Sequence, residues 1–264
     1  MLTSLLPGIR ELRTPLAAGY IYAMALLLIT GEHVPDRKDA PPALAPFYEL
    51  VAWAGKPATL AASIFVAYVL GSMLELSPVG VARLTSGHLL KAKASPDGPI
   101  VYSSPLLSSR SMRDLVRYAR SRLGLAQSAR RLSPADEAVL AEGLTRLLSE
   151  LPELRTRLYA ANQDLYGDYD RKAAEASFKV NVGLAGIVLS FAANEKLDAS
   201  WTLLCVPMLF LIFRGVIADR EAKTVLVEAL VADQIQSPGF EAFAAREGRR
   251  DAPAAPTVAP DFDT

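Results

Sequence analysis

Four stretches of this chain carry no charged side chain and are almost wholly apolar: residues 14–31, 57–74, 180–194 and 199–213. A helix needs about 17–25 predominantly apolar residues to cross the hydrocarbon core of a bilayer. The first two runs have eighteen positions each and the last two have fifteen. At ~1.5 Å per residue the longer pair spans ~27 Å and the shorter pair ~22 Å. The shorter pair is lengthened by Lys179, Lys196 and Arg214, whose aliphatic stems lie along apolar surface while the charge reaches the headgroups. Trp201 fits an interfacial anchor. The pattern predicts an all-α integral membrane protein with four transmembrane helices and a helical cytoplasmic insertion. A buried hairpin of a soluble domain is the alternative for the two short runs, because length alone does not separate the cases.

Composition agrees. Of 264 residues 51% are hydrophobic, above the usual share for a soluble domain, and the excess sits in the four runs. The net charge of +0 hides segregation: residues 83–131 hold ten Lys or Arg against Asp97 and Asp114, whereas residues 134–178 hold five against nine carboxylates. The single cysteine, Cys205, lies inside the fourth run, which excludes a disulfide framework and a cysteine metal site. The first run follows Arg10 and Arg13 but lacks a small-residue cleavage pattern, so it reads as an uncleaved anchor rather than a signal peptide.

Basic residues set the orientation. Arg10 and Arg13 precede the first run, Arg83, Lys91 and Lys93 follow the second, Arg171, Lys172 and Lys179 precede the third, and Arg214, Arg220 and Lys223 follow the fourth. The opposite loops hold only Arg37, Lys38, Lys56 and Lys196. The positive-inside rule puts both termini and the middle segment in the cytoplasm, with the protein in the cell membrane. The expected organisation is an N-terminal hairpin over 1–80 with crossings at about 14–31 and 57–75, a helical insertion over 81–172, and a C-terminal hairpin over 173–246. That second hairpin has crossings at about 178–194 and 199–217 and a cytoplasmic helical extension; a disordered tail follows over 247–264. Gly183, Gly186 and Ser190, and likewise Ala67 with Gly71, predict close helix contacts. Pro15 and Pro57 read as first-turn prolines, and Pro207 as a kink in mid-helix.

Within the insertion, residues 95–99 read as a turn and the stretch around Pro105 as irregular. Arg110, Arg113, Arg117 and Arg120 then recur at spacings of three, four and three, a basic stripe suited to anionic lipid headgroups or a partner; nucleic acid is not expected. Ser133 is an N-cap before Pro134. Leu140, Leu144, Leu147, Leu151, Leu154 and Leu158 form a heptad-like seam, either a coiled-coil or homo-oligomer contact or the core of a folded-back hairpin. Pro152 predicts a break near Glu150. Helical continuity is expected from Arg155 to Lys179, weakest at Gly167, and from Asp219 to Ile235, with Phe240 and Phe243 packing a last helix onto those extensions.

No catalytic, cofactor or metal signature is present, and no cofactor is expected. His33 and His88 are the only histidines, and no acidic or basic residue lies deep in a run. Asp168, Asp170 and Arg220 are the one candidate juxtamembrane site, for divalent-metal or headgroup chemistry, against a solvated belt of ion pairs. The stretches Leu5-Leu6-Pro7-Gly8-Ile9-Arg10-Glu11-Leu12-Arg13 into Pro15–Tyr20, Tyr68-Val69-Leu70-Gly71-Ser72, and Asp219-Arg220-Glu221-Ala222-Lys223 resemble multi-pass membrane proteins of high-GC Gram-positive bacteria. The resemblance implies a bacterial inner-membrane protein and carries no activity. The expectation is a non-enzymatic membrane protein whose insertion binds a partner or self-associates; the alternatives are an oligomeric pore subunit and an enzyme using the juxtamembrane carboxylates.

Overall fold

The computed structural model describes residues 6–30, 45–81, 90–95, 98–125 and 132–250. Segment 31–44, both histidines, Arg83 and the last fourteen positions of the expected tail lie outside the described residues. The chain is mostly helical: α1 (Leu6–Thr30), α2 (Ala45–Met73), a hairpin of β1 (Lys91–Ser95) and β2 (Gly98–Ser103), α3 (Ser109–Arg122), α4 (Pro134–Ala161), α5 (Gln163–Lys196), a 3-10 turn (Ala199–Leu204), α6 (Cys205–Val231) and α7 (Pro238–Arg250). Four of these stretches are long and apolar enough to cross a membrane: Leu12–Thr30, Gly55–Met73, Gln163–Lys196 and Ala199–Val231. Contacts divide the chain into two compact units, Met1–Thr85 with Asp170–Arg220 and Ser86–Tyr169 with Glu221–Thr264. The extension beyond Arg220 therefore groups with the insertion rather than with the C-terminal hairpin.

The first unit packs through small residues. A Cβ on Gly19 would sit 1.7 Å from the Ala67 carbonyl oxygen, and one on Gly71 would sit 1.8 Å from that of Pro15. Backbones meet directly there, which only glycine permits, and the gain is dispersion over a long seam. Gly183 meets the Met208 carbonyl and Ile212, Gly186 meets the Met208 thioether, and Gly215 meets Ala176 and Val180. Ala18, Ala25, Ala67, Ala185, Ala193 and Ser190 are buried beside them. Asn181, 1% exposed, ties two segments together. Its Oδ1 accepts from the Leu76 amide at 2.8 Å, and its Nδ2 donates to the Leu76 carbonyl at 3.1 Å and to that of Ser177 at 2.9 Å. One side chain thereby pairs with both backbone groups of a residue just past the end of α2. Arg13 lies over the Phe178 ring at 4.1 Å. The large side chains of this unit point the other way: Leu203 is 74% exposed, Phe65 66% and Phe210 63%.

Two of the three proline expectations are corrected here, and that for Pro57 is met. Pro15 lies within α1, which already starts at Leu6; the good helix formers Leu, Glu and Arg ahead of it carry the helix through the missing hydrogen bond. Pro57 does open a segment, because α2 breaks at Gly55, whose φ of 75° only glycine adopts readily. Pro207 makes no mid-helix kink. Residues 199–204 form a 3-10 turn capped by Asp198, whose carboxylate accepts from the Ser200 amide at 3.2 Å, so Pro207 falls in the first turn of α6.

The second unit buries large apolar side chains in its core. The whole leucine seam is buried within the chain: Leu140, Leu144 and Leu158 are 0% exposed, and Leu147, Leu151 and Leu154 no more than 5%. α3 and α7 pack on α4, with Phe240 and Phe243 against Gly143 and Arg146 over the Phe243 ring at 4.8 Å. Phe240 and Phe243 thus reach α4, which is where the sequence reading had not placed them. From α6, Ala222, Val225, Leu226, Val227 and Leu230 are buried too. α4 runs unbroken through Pro152, contrary to the expected break, because buried leucines on both sides pin the two halves. The break falls instead at Asn162, with extended φ and ψ. Its Oδ1 accepts from the Leu165 amide at 3.1 Å and caps α5, and Gly167 is plain helix. α6 ends at Val231, and Ser237-Pro238-Gly239 opens α7 rather than merely stopping α6. The Glu150 carboxylate accepts from Ser237 Oγ at that N-terminus, where negative charge is favoured. α7 continues to Arg250, into the segment expected to be disordered.

The antiparallel hairpin, with Ala92 opposite Tyr102 and Lys93 opposite Val101, was not foreseen beyond its turn. A two-stranded ribbon is marginal alone; the buried Tyr102 anchors it.

Candidate functional site

Among the described elements, α3 separates an apolar face from a basic one most sharply. Ser108 caps it, its Oγ accepting from the Ser111 amide at 3.1 Å, and Ser111 Oγ lies 2.8 Å from Thr224 Oγ1 on α6. These contacts cap α3 and dock it on α6. Met112, Leu115, Tyr118 and Ala119 bury one face. The opposite face presents the arginines, and the structure separates the four expected to form one stripe. Arg110, Arg113 and Arg117 are exposed, while Arg120 is half-buried. Asp114 lies 3.7 Å from Arg117, whose side chain is 79% exposed, so that pair contributes little. Arg120 Nε is shut off from solvent and has no hydrogen-bond acceptor among the described residues. Arg113, Val116, Arg117 and Arg120 line a concavity of about 260 Å³.

Arg122, which the spacing argument left out, is fully engaged. It pairs with Asp233, lies 3.8 Å from Glu241 and stacks on the Tyr118 ring at 5.3 Å. The Tyr118 hydroxyl donates to Glu241 at 3.2 Å. Burial, followed by the Glu241 charge, pushes the Tyr118 hydroxyl up to about 12. Asp233 adopts a φ of 57°, a left-handed position that Asp tolerates. Nothing in the local sequence pattern around 118–122 announces this cluster, because its carboxylates come from beyond α6. Tyr102 is likewise raised by burial and then by Glu137, against the lowering effect of Arg120.

Of the juxtamembrane trio, Asp168 falls in the second unit, Asp170 and Arg220 in the first. All three are half-buried and each already has an electrostatic or hydrogen-bonding partner. Among the described residues no group of three His, Cys, Asp or Glu side chains converges to hold a metal ion. Asp219 and Lys223, four apart on α6, are buried and also partnered. No protein-family model, curated protein or solved structure matches this chain.

Proposed function

We propose that this chain is a polytopic membrane protein with four crossings and both termini cytoplasmic, and that its second unit is a cytoplasmic binding module rather than an enzyme. The observation that carries the membrane reading is the inverted burial of the first unit: mainly glycine, alanine, serine and asparagine inside, Val180 apart, with most of the leucine, phenylalanine and valine outside. Water penalises an exposed apolar surface of that extent, and lipid does not. The basic residues flanking the runs support the orientation, and the resemblance to inner-membrane proteins agrees with it.

The choice of binding module over self-association rests on the leucine seam. Those side chains are covered by the chain's own helices, leaving the arginine face of α3 as the contact surface. Reporter fusions test the topology in a bacterial host. A cytoplasm-dependent fluorescent reporter joined after Arg130 or Thr264 is expected to be active, and one joined after Asp39 or Leu197 inactive. The reverse pattern would overturn the orientation, and activity at all four points would overturn the membrane reading.

A further inference from the structure

We infer that Arg113, Arg117 and Arg120 form an oxyanion site for a phosphate group, which names a ligand class for the contact surface proposed above. Three guanidinium-bearing residues border one concavity of about 260 Å³ with Val116, a size suited to a phosphate with its near substituents rather than to a protein segment. α3 carries Arg110, Arg113, Arg117, Arg120 and Arg122 against the single Asp114, and the Asp233 and Glu241 carboxylates are taken by Arg122. The positive charge around the concavity is thus left without an equal counter-charge on its own helix. An oxyanion seated in the concavity that Arg113, Arg117 and Arg120 line accepts the planar, bidentate bonds that guanidinium favours. Phosphate reaches such a site in two forms, a free phosphate compound or the headgroup of an anionic lipid.

The test uses the full-length protein in phosphatidylcholine nanodiscs, with inorganic pyrophosphate titrated calorimetrically, beside native mass spectrometry of protein extracted from phosphatidylcholine–phosphatidylglycerol mixtures. Saturable pyrophosphate binding, weakened at least tenfold by Arg117→Gln, identifies a soluble phosphate ligand. Retention of phosphatidylglycerol over phosphatidylcholine, lost in Arg113→Gln/Arg117→Gln without pyrophosphate binding, identifies the lipid headgroup. Arg117→Lys keeps the charge without the fork and is expected to bind with intermediate affinity. Neither binding, or binding that all these variants leave unchanged, overturns the site. The Arg113→Gln and Arg117→Gln changes lie on an exposed face, and an unchanged far-UV spectrum and melting profile excludes misfolding as the cause of any loss. If the chain proves to be an aqueous monomer without detergent, the membrane reading fails and the pyrophosphate arm, run in buffer, still decides the site.

Discussion

The two units solve opposite packing problems with similar helices. In the second, Leu140, Leu144, Leu158 and Phe240 are buried to 0% exposure, and exposed charges such as Arg110, Arg113 and Arg117 lie outside. In the first, Leu203, Val206, Phe65 and Phe210 face out, and the interior is built from Gly19, Gly71, Gly183, Ala185, Ser190 and Asn181. In water the driving force is removal of large apolar area, about 25 cal/mol per Å². In lipid that force vanishes between helices, and backbone proximity and satisfied polar groups take its place. The same residue type therefore reports on solvent through which side of the helix it occupies.

That contrast makes unequal predictions. Leu144→Ala in the second unit is expected to cost about 2–5 kcal/mol through lost transfer energy and a cavity, read as faster hydrogen exchange across 140–158. Phe210→Ala, at an exposed position, is expected to leave stability nearly unchanged; equal losses would break the comparison. Raising the pH comes next. Tyr118 is held neutral in the folded state up to about 12, against 10.0 for a free tyrosine. Its contribution is therefore fully present below pH 10.0 and is lost as pH rises through 12. Local stability of the second unit should fall by about 2–3 kcal/mol across that window, and Tyr118→Phe should remove that share of the dependence. A profile that is identical in Tyr118→Phe contradicts the assignment.

Gly71→Ala forces a Cβ into the Pro15 carbonyl and should cost about 1–3 kcal/mol, measured as lower thermal stability in detergent, whereas Gly167→Ala, with open space around it, should be neutral or slightly stabilising. Asn181→Ala is smaller, about 0.6–2 kcal/mol, the range for hydrogen bonds between membrane helices. Its signature is local, as faster exchange of the Leu76 amide.

The parts legible in the sequence are those that repeat at short range. Uncharged runs marked the four long apolar helices, a period of three to four marked the buried seam of α4, and Ser133-Pro134 marked its cap. Small residues at 67, 71, 183, 186 and 190 marked the close contacts. What escaped depends on distant partners or on packing that overrides local propensity. Pro152 is carried by the leucines around it, and the β1–β2 pairing draws on Lys-Ala-Lys-Ala-Ser, which has little strand preference. Ser237–Gly239 looks like a stop until Glu150 is seen at that helix N-terminus. For the candidate site, the helical spacing supplied the arginines. It did not supply the half-burial of Arg120, or the withdrawal of Arg122 toward Asp233 and Glu241, residues over a hundred positions away.

Thiol accessibility in native membranes tests the central claim most directly. In a Cys205→Ser background, Phe65→Cys, Leu203→Cys and Phe210→Cys are compared with Val101→Cys, a somewhat less exposed position in the second unit. A water-soluble maleimide applied to open membranes is expected to label the cysteine at 101 quickly and the other three only after detergent is added. Labelling of all four at similar rates before detergent would mean that water, not hydrocarbon, bathes the large apolar side chains of the first unit.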